Sequence, residues 1–273
     1  MTPTVSVCVP VLQGAQDLAK TVRSVLMQAF TDIEVVVLAA PGAAVTADLD
    51  DDRVRVQHIE ETLPVTTIWN RSVGASSAPL VKFLQPGDLL HPHCLAVQVS
   101  LLQAEPAAAF VAHRQHLIDR LGRTIAPARF LRGLLGVQER RHVARRVVRS
   151  GANPVGSTSG VLLRRSVFDA IGGFRRERFV ADLDLYVRMT EHGPMLGLPD
   201  PLAAVRLGAS PPDADTADRF FSLQRSSTRE FGLIDGVTRV DRVVGALRAP
   251  GARRRREVAS RLGRSARSSA VPG

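Results

Sequence analysis

The sequence predicts an α/β fold built on a single Rossmann-like, mostly parallel sheet flanked by helices, and two features of residues 1–110 carry that expectation. Short β-branched runs alternate with stretches of helical apolar spacing. The second run, 33–38 (Ile-Glu-Val-Val-Val-Leu), is apolar at nearly every position, as a strand covered by helices on both faces should be. With 273 residues, 45% of them hydrophobic, the chain can bury a substantial core, which excludes disorder throughout.

The elements follow in order. A strand over 5–10 closes on Pro10, Gln13-Gly14 makes a turn, and Leu18, Val22, Val25 and Leu26 fall on one helix face, so that the strand at 33–38 completes a βαβ unit. Strands at 54–59 and 80–84 enclose a helix at 66–76, and Pro92 opens a helix over 93–103. The second half is less regular. We expect a strand at 108–118, a turn at Gly122, a basic helix or mobile segment over 130–149 and a strand at 160–163. A short helix at 165–171 stops at Gly172-Gly173, a helix at 182–192 stops at Gly193, and Thr216 caps a helix over 216–231.

The formal charge of +10 is unevenly placed: residues 251–273 hold seven Arg and one Glu, hence +6, which leaves +4 for the preceding 250. Too few large apolar groups occur in 251–273 to pack, so a disordered basic tail is expected there, suited to peripheral contact with an anionic membrane. It lacks aromatic residues for base stacking, so no nucleic-acid partner is predicted. Cys8 and Cys94 lie in apolar stretches and read as buried free thiols. The N-terminus lacks the pattern of a signal peptide, and no run approaches membrane-spanning length. The expected location is cytoplasmic, with association at the inner face of the membrane through the tail.

Several blocks resemble, in register and order over residues 4–207, the family 2 glycosyltransferases of GT-A fold. Val5-Ser-Val-Cys-Val-Pro10-Val-Leu-Gln13 is similar to the family's first strand and its Pro-x-Tyr-Asn turn. Trp69-Asn70-Arg71-Ser-Val-Gly74 followed by Ala78-Pro-Leu-Val-Lys82-Phe-Leu84 resembles its Arg-Asn-x-Gly helix and the strand entering the metal motif. The segment from Asn153-Pro154 to Ser159-Gly160, with Arg164 to Phe174, resembles the acceptor-side block. Ala181-Asp182-Leu-Asp184-Leu-Tyr-Val-Arg188 resembles the Glu-Asp-x-Asp-Leu-x-x-Arg helix.

The resemblance implies a donor half at 1–110, an acceptor half with the base helix at 111–250, and the tail at 251–273. It implies donor contacts at Pro10, Val11, Gln13, Asn70, Arg71, Gln85 and Asp88, acceptor contacts at Ser157, Thr158 and Ser159, and Asp182 as catalytic base. Asp184 offers a helix-start carboxylate equally well. Two departures stand out. Ala39-Ala40-Pro41-Gly42 replaces an Asp-Asp-Gly-Ser pattern, and Gln85-Pro86-Gly87-Asp88 replaces Asp-x-Asp-Asp, which leaves Asp88 as the one weak ligand for Mg²⁺ or Mn²⁺. Three readings remain open at this point: an inverting transferase with reduced or no metal dependence, in which Arg71, Lys82 or Arg114 faces the diphosphate; an enzyme with an unusual donor; or a catalytically silent binding or scaffold subunit.

Overall fold

The computed structural model describes residues 2–12, 17–43, 45, 49–175, 181–207 and 229–265, with the backbone alone for 252, 253 and 255–265. Strands β1 (Val5–Val11), β2 (Ile33–Ala39) and β3 (Val54–His58) pair in parallel, and helix α1 (Leu18–Leu26) links the first two. Helix α2 (Val65–Gly74) returns the chain to β4 (Leu80–Phe83), which pairs in parallel with the other side of β1. The strand order therefore reverses between β1 and β4, and the crevice beyond their C-terminal ends is where an open α/β sheet receives its ligand.

Beyond β4 come β5 (Leu89–Leu90), α3 (Cys94–Ala104), β6 (Phe110–Ile118), β7 (Thr124–Arg129), β8 (Gly136–Gln138), α4 (Arg140–Ser150), β9 (Val161–Arg164), α5 (Arg165–Ala170), α6 (Ala181–Met189), β10 (Met195–Arg206) and α7 (Arg239–Ser265). The sheet runs β3-β2-β1-β4-β9-β6-β10-β5, with β7 on β6 and β8 on β10. It is mixed: β9 lies antiparallel between β4 and β6, while β6 and β10 are parallel. One core, with Cys8, Phe83, Phe110 and Tyr186, fills the face toward α2, α4, α5 and α6; a second, with Val7, Val35, Cys94 and Val111, fills the face toward α1 and α3. Both cysteines are buried free thiols.

Three expectations are corrected. The 130–149 segment is neither one helix nor loose, because Phe130, Leu131, Gly133 and Gly136 take positive φ and break the helical period; Leu131 and Leu134 plug the core, and α4 begins only at Arg140. The strand expected at 160–163 begins one residue later, after a 3₁₀ turn over Thr158–Gly160 capped by the Ser157 side chain.

The third concerns the tail. Through Ser265 it continues α7 rather than being disordered, and 266–273 lie outside the described residues. The reason is a good start and a firm anchor. The Asp241 N–H donates to Thr238 Oγ1 (3.2 Å) and the Thr238 N–H to Asp241 Oδ2 (2.9 Å), a capping box, while Arg145 and Arg149 of α4 donate to Oδ1 of the same carboxylate. The helix carries Pro250 in its interior, which forgoes a backbone hydrogen bond, and beyond it Ala, Arg and Glu favour the helical form. The helix expected at 216–231 falls outside the described residues up to 228; Phe231 is buried in the core.

Candidate active site

The loop after β4 lies at the C-terminal end of that strand, on one wall of the crevice. Gln85 is exposed, Gly87 takes φ +97°, and the Asp88 N–H closes a turn on the Gln85 carbonyl at 3.0 Å. Thr21 of α1 staples this turn, accepting from the Gly87 N–H (2.8 Å) and donating to the Asp88 carbonyl (2.9 Å).

The Asp88 carboxylate points inward. Its Oδ2 accepts from Ser159 Oγ at 2.5 Å, and its Oδ1 accepts from the Arg206 backbone N–H at 2.8 Å. Burial pushes its pKa up to about 7, against the opposing effect of those two bonds and the Arg206 charge. The Arg206 guanidinium bridges the same loops, with Nε donating to Gly87 O (3.2 Å) and Nη1 to the carbonyls of Asp119 (2.8 Å) and Arg120 (2.6 Å). A Cβ on Gly87 would lie 3.1 Å from Arg206 Cδ and would have to adopt the left-handed φ, so this position accepts little but glycine.

In the loop after α4, Asn153 Oδ1 accepts from the Val155 and Gly156 N–H groups (3.0 Å each), and its Nδ2 donates to Gly156 O (2.9 Å) and to Asp182 Oδ2 (2.8 Å). Asp182 is half-buried in the first turn of α6, where the helix dipole favours a carboxylate, and its Oδ1 accepts from the Leu183 N–H at 2.8 Å. Asp184 is sealed inside. Arg188 Nε donates to it at 2.8 Å, and the other guanidinium nitrogens of Arg188 donate to the carbonyls of Ile171 (2.8 Å) and Gly173 (2.6 Å). The two carboxylates left equal by the sequence are thus separated by burial.

Between these parts, Arg114 and His116 leave β6 on the face opposite His113, whose ring meets Cys94 of α3 at 3.4 Å. They therefore share the face on which Phe110 stacks against Tyr186 of α6, with ring centroids 5.6 Å apart. Arg114 Nε, His116 Nδ1, and Nε and Nη2 of Arg120 are buried with no hydrogen-bond partner among the described residues. Buried donors left unpaired are costly, and an anion would satisfy those of the two arginines.

The other expected positions are dispersed. Pro10 and Val11 are buried in the β1–β2 ladder opposite Leu38 and Ala39, and Gln13 lies outside the described residues. The side-chain amide of Asn70 is bonded both ways to the Phe174 backbone (2.8 and 2.9 Å), tying α2 to the loop before α6. Arg71 is exposed and paired with Glu61 at 3.2 Å. Lys82 is buried on the α3 face against Gln98 Oε1 (2.9 Å), too deep to meet a diphosphate. Ser157 caps the 3₁₀ turn, Thr158 is buried, and Ser159 serves Asp88. A cleft of about 510 Å³ lined by Thr4, Pro79, Arg164, Arg165 and Asp169 opens at the opposite end of the sheet, where β1 and β4 begin.

The family profile described as "Glycosyltransferase like family 2" matches residues 3–216. The chain belongs to that family. Among curated proteins it is similar to an uncharacterized protein, MT1568, of Mycobacterium tuberculosis (strain CDC 1551 / Oshkosh), at 26% identity over 221 residues, covering 75% of this chain and 67% of the relative.

Two solved structures of comparable architecture show that the fold is GT-A. TarS 1-349 of S. aureus in complex with UDP-GlcNAc gives a TM-score of 0.65 at 14% identity, over 85% of this chain and 67% of that one. The mannosyltransferase PcManGT of Pyrobaculum calidifontis in complex with GDP-Man and Mn²⁺ gives 0.60 at 14%, over 100% and 77%.

The switch-point loop decides whether a metal could sit here. A divalent cation asks for ionised oxygens that face the donor. Here Gln85 is an amide, Gly87 has no side chain, and both Asp88 oxygens already accept bonds from inside the protein. Among the described residues no three His, Cys, Asp or Glu side chains come together. The residues present do not fit a divalent cation at this place, and Asp88 is better understood as a buried clasp than as the metal ligand expected from the sequence.

Proposed function

We propose that the chain is an inverting glycosyltransferase that moves a sugar from a nucleotide-diphosphate donor to a hydroxyl acceptor in bacterial glycan, glycolipid or natural-product biosynthesis. The observation that carries the reading is the position of Asp182, half-buried at the start of α6 and held by Asn153, while Asp184 is closed into an ion pair. Asp182 acts as general base. It takes the acceptor's hydroxyl proton as that oxygen attacks the anomeric carbon from the side opposite the leaving group. The bond from that carbon to the diphosphate oxygen breaks, and the electron pair leaves with the nucleotide diphosphate.

Residues 1–110 supply the donor half, with Pro10 and Val11 ending β1 as a wall and exposed Gln85 above it; residues 111–250 supply the acceptor half. Charge developing on the diphosphate is met by Arg114 with His116 and Arg120, whose buried nitrogens have no partner among the described residues. Metal dependence is reduced or absent accordingly. The complexes of TarS with UDP-GlcNAc and of PcManGT with GDP-Man support a sugar nucleotide as donor class.

The clasp on Asp88 favours a second reading, a silent homologue that serves as a binding or scaffold subunit. A thermal-shift panel of sugar nucleotides with and without Mn²⁺, followed by NMR of the anomeric centre formed, separates the two. Stabilisation by one donor, product of inverted configuration and loss of turnover in Asp182→Asn support the enzyme; silence toward every donor supports the subunit.

A further inference from the structure

Helix α7 has two faces of unlike chemistry. Its inner face is built for close contact with α4. Gly245 lies so near Val148 that a Cβ there would come within 2.1 Å of the Val148 carbonyl oxygen, and Gly151 has the same relation to Ala249, at 2.9 Å. Buried Asp241 ties the pair to Arg145 and Arg149.

The outer face carries Val240, Val243 and Leu247, which are 63%, 60% and 76% exposed. Their spacing of three and four residues makes one apolar stripe along the helix. Exposed Arg239 and Arg242 flank it on one side and exposed Arg248 on the other. Beside Arg248 stand Arg146 of α4, which donates to the Arg132 carbonyl, and Arg132 itself. Burial, and then the charges of Arg132, Arg248 and Arg149, weaken the hold of Arg146 on its proton. Arg140 pairs with Glu191, but Arg132, Arg146 and Arg248 have no carboxylate partner among the described residues.

Arginines gathered without counter-charge repel one another, and an apolar stripe in water gains nothing from its exposure. Both costs are relieved by one kind of surface. An anionic bilayer supplies phosphates to the arginines and an apolar boundary to the stripe, and a helix with this division lies in the headgroup layer rather than crossing it. No described helix is long and apolar enough to cross. The backbone of α7 also runs on through Arg253 to Arg256, adding basic residues to the same helix.

We propose that the α4–α7 face docks on an anionic phospholipid surface, with Val240, Val243 and Leu247 entering the headgroup boundary and Arg132, Arg146, Arg239, Arg242 and Arg248 meeting lipid phosphates. This docking does not rest on the sugar-transfer reading, and its test uses no sugar nucleotide.

The full chain is co-sedimented with vesicles of phosphatidylcholine alone and of phosphatidylcholine mixed with phosphatidylglycerol. Binding to the mixed vesicles only is expected, weakened by salt. It should fall about fivefold for each arginine removed in Arg242→Gln and Arg248→Gln, and be lost in Val243→Asp/Leu247→Asp, with the melting temperature of every variant unchanged. Absence of binding to both vesicles, or equal binding to both, overturns the proposal. So does full retention by the double Asp variant, since charge alone would then suffice, as on any polyanion. If the stripe instead mates with a second copy, sedimentation without lipid shows a dimer that the double Asp variant abolishes, and the proposal falls.

Discussion

Ser159 Oγ donates to Asp88 Oδ2 at 2.5 Å across 71 residues of chain, and this bond turns the loop after β4 into part of the core. Folded, Asp88 holds its proton to about pH 7, whereas an unfolded aspartyl releases it near 3.8. Between those values the folded chain binds more protons than the unfolded one. The contribution is therefore complete below about pH 4 and is lost as pH rises through about 7, at a rate on the order of 1 kcal/mol per pH unit. Glu34 works in the opposite sense: burial raises its pKa, but bonds from Ser6, Ser77 and Arg55 prevail and bring it to about 2. Its contribution is complete above about pH 4.5 and is lost only in acid. Buried His113, its pKa brought down to about 3 by that burial, opposes Asp88 up to about pH 6.5, so the comparison of parent with Asp88→Asn, not the parent's slope alone, isolates Asp88. Asp88→Asn, which keeps the shape and cannot ionise, should make the slope of melting temperature against pH more positive than the parent's between about pH 5 and 7. An unchanged slope would remove the clasp from the account.

Burial separates Asp182 from Asp184, and substitution should separate them too. Asp184→Ala leaves Arg188 inside the protein without its counter-charge and should cost about 3–5 kcal/mol of stability, read by denaturant unfolding. Asp182→Asn should leave unfolding almost unchanged and lower turnover by about 10²- to 10⁴-fold. The reverse pattern would exchange their roles.

Chelation addresses the charge at the diphosphate. If basic side chains on β6 meet it, the donor-induced rise in melting temperature should be the same in EDTA and in Mn²⁺. Arg114→Gln should weaken donor binding about 10- to 100-fold, the range for a hydrogen bond to a charged group. A rise that EDTA abolishes would restore a cation to the site.

The sheet was legible because its signals are local. The β-branched runs at β1 and β2, the apolar spacing of α1 and the glycines after α5 each determine their own surroundings. The clasp was not, since Arg206 meets Asp88 across 118 residues and nothing near either one announces the other. Asn70 illustrates the same limit: its resemblance to a donor-side position is real in sequence, yet its amide is taken by Phe174, 104 residues away. The start of α7 could have been found, because Thr238 and Asp241 stand three apart as a capping box requires. That signal lies upstream of 251–273, whose own composition carries none of it.

Gly245 tests how α7 is held. A methyl group there would press on the backbone oxygen of Val148, which cannot swing aside as a side chain can, so Gly245→Ala must push α7 off α4 and stretch the bonds from Arg145 and Arg149 to Asp241. Alanine would otherwise favour a helix, by up to about 1 kcal/mol over glycine. Overpacking of this kind costs about 1–3 kcal/mol, so the sum should still be destabilising. Val243→Ala, on the exposed stripe, should change stability by no more than about 0.5 kcal/mol. Melting curves of the two variants beside the parent decide the matter. If Gly245→Ala melts at or above the parent temperature, helix propensity outweighs the contact, and the close seat of α7 on α4 is not what anchors the C-terminal helix.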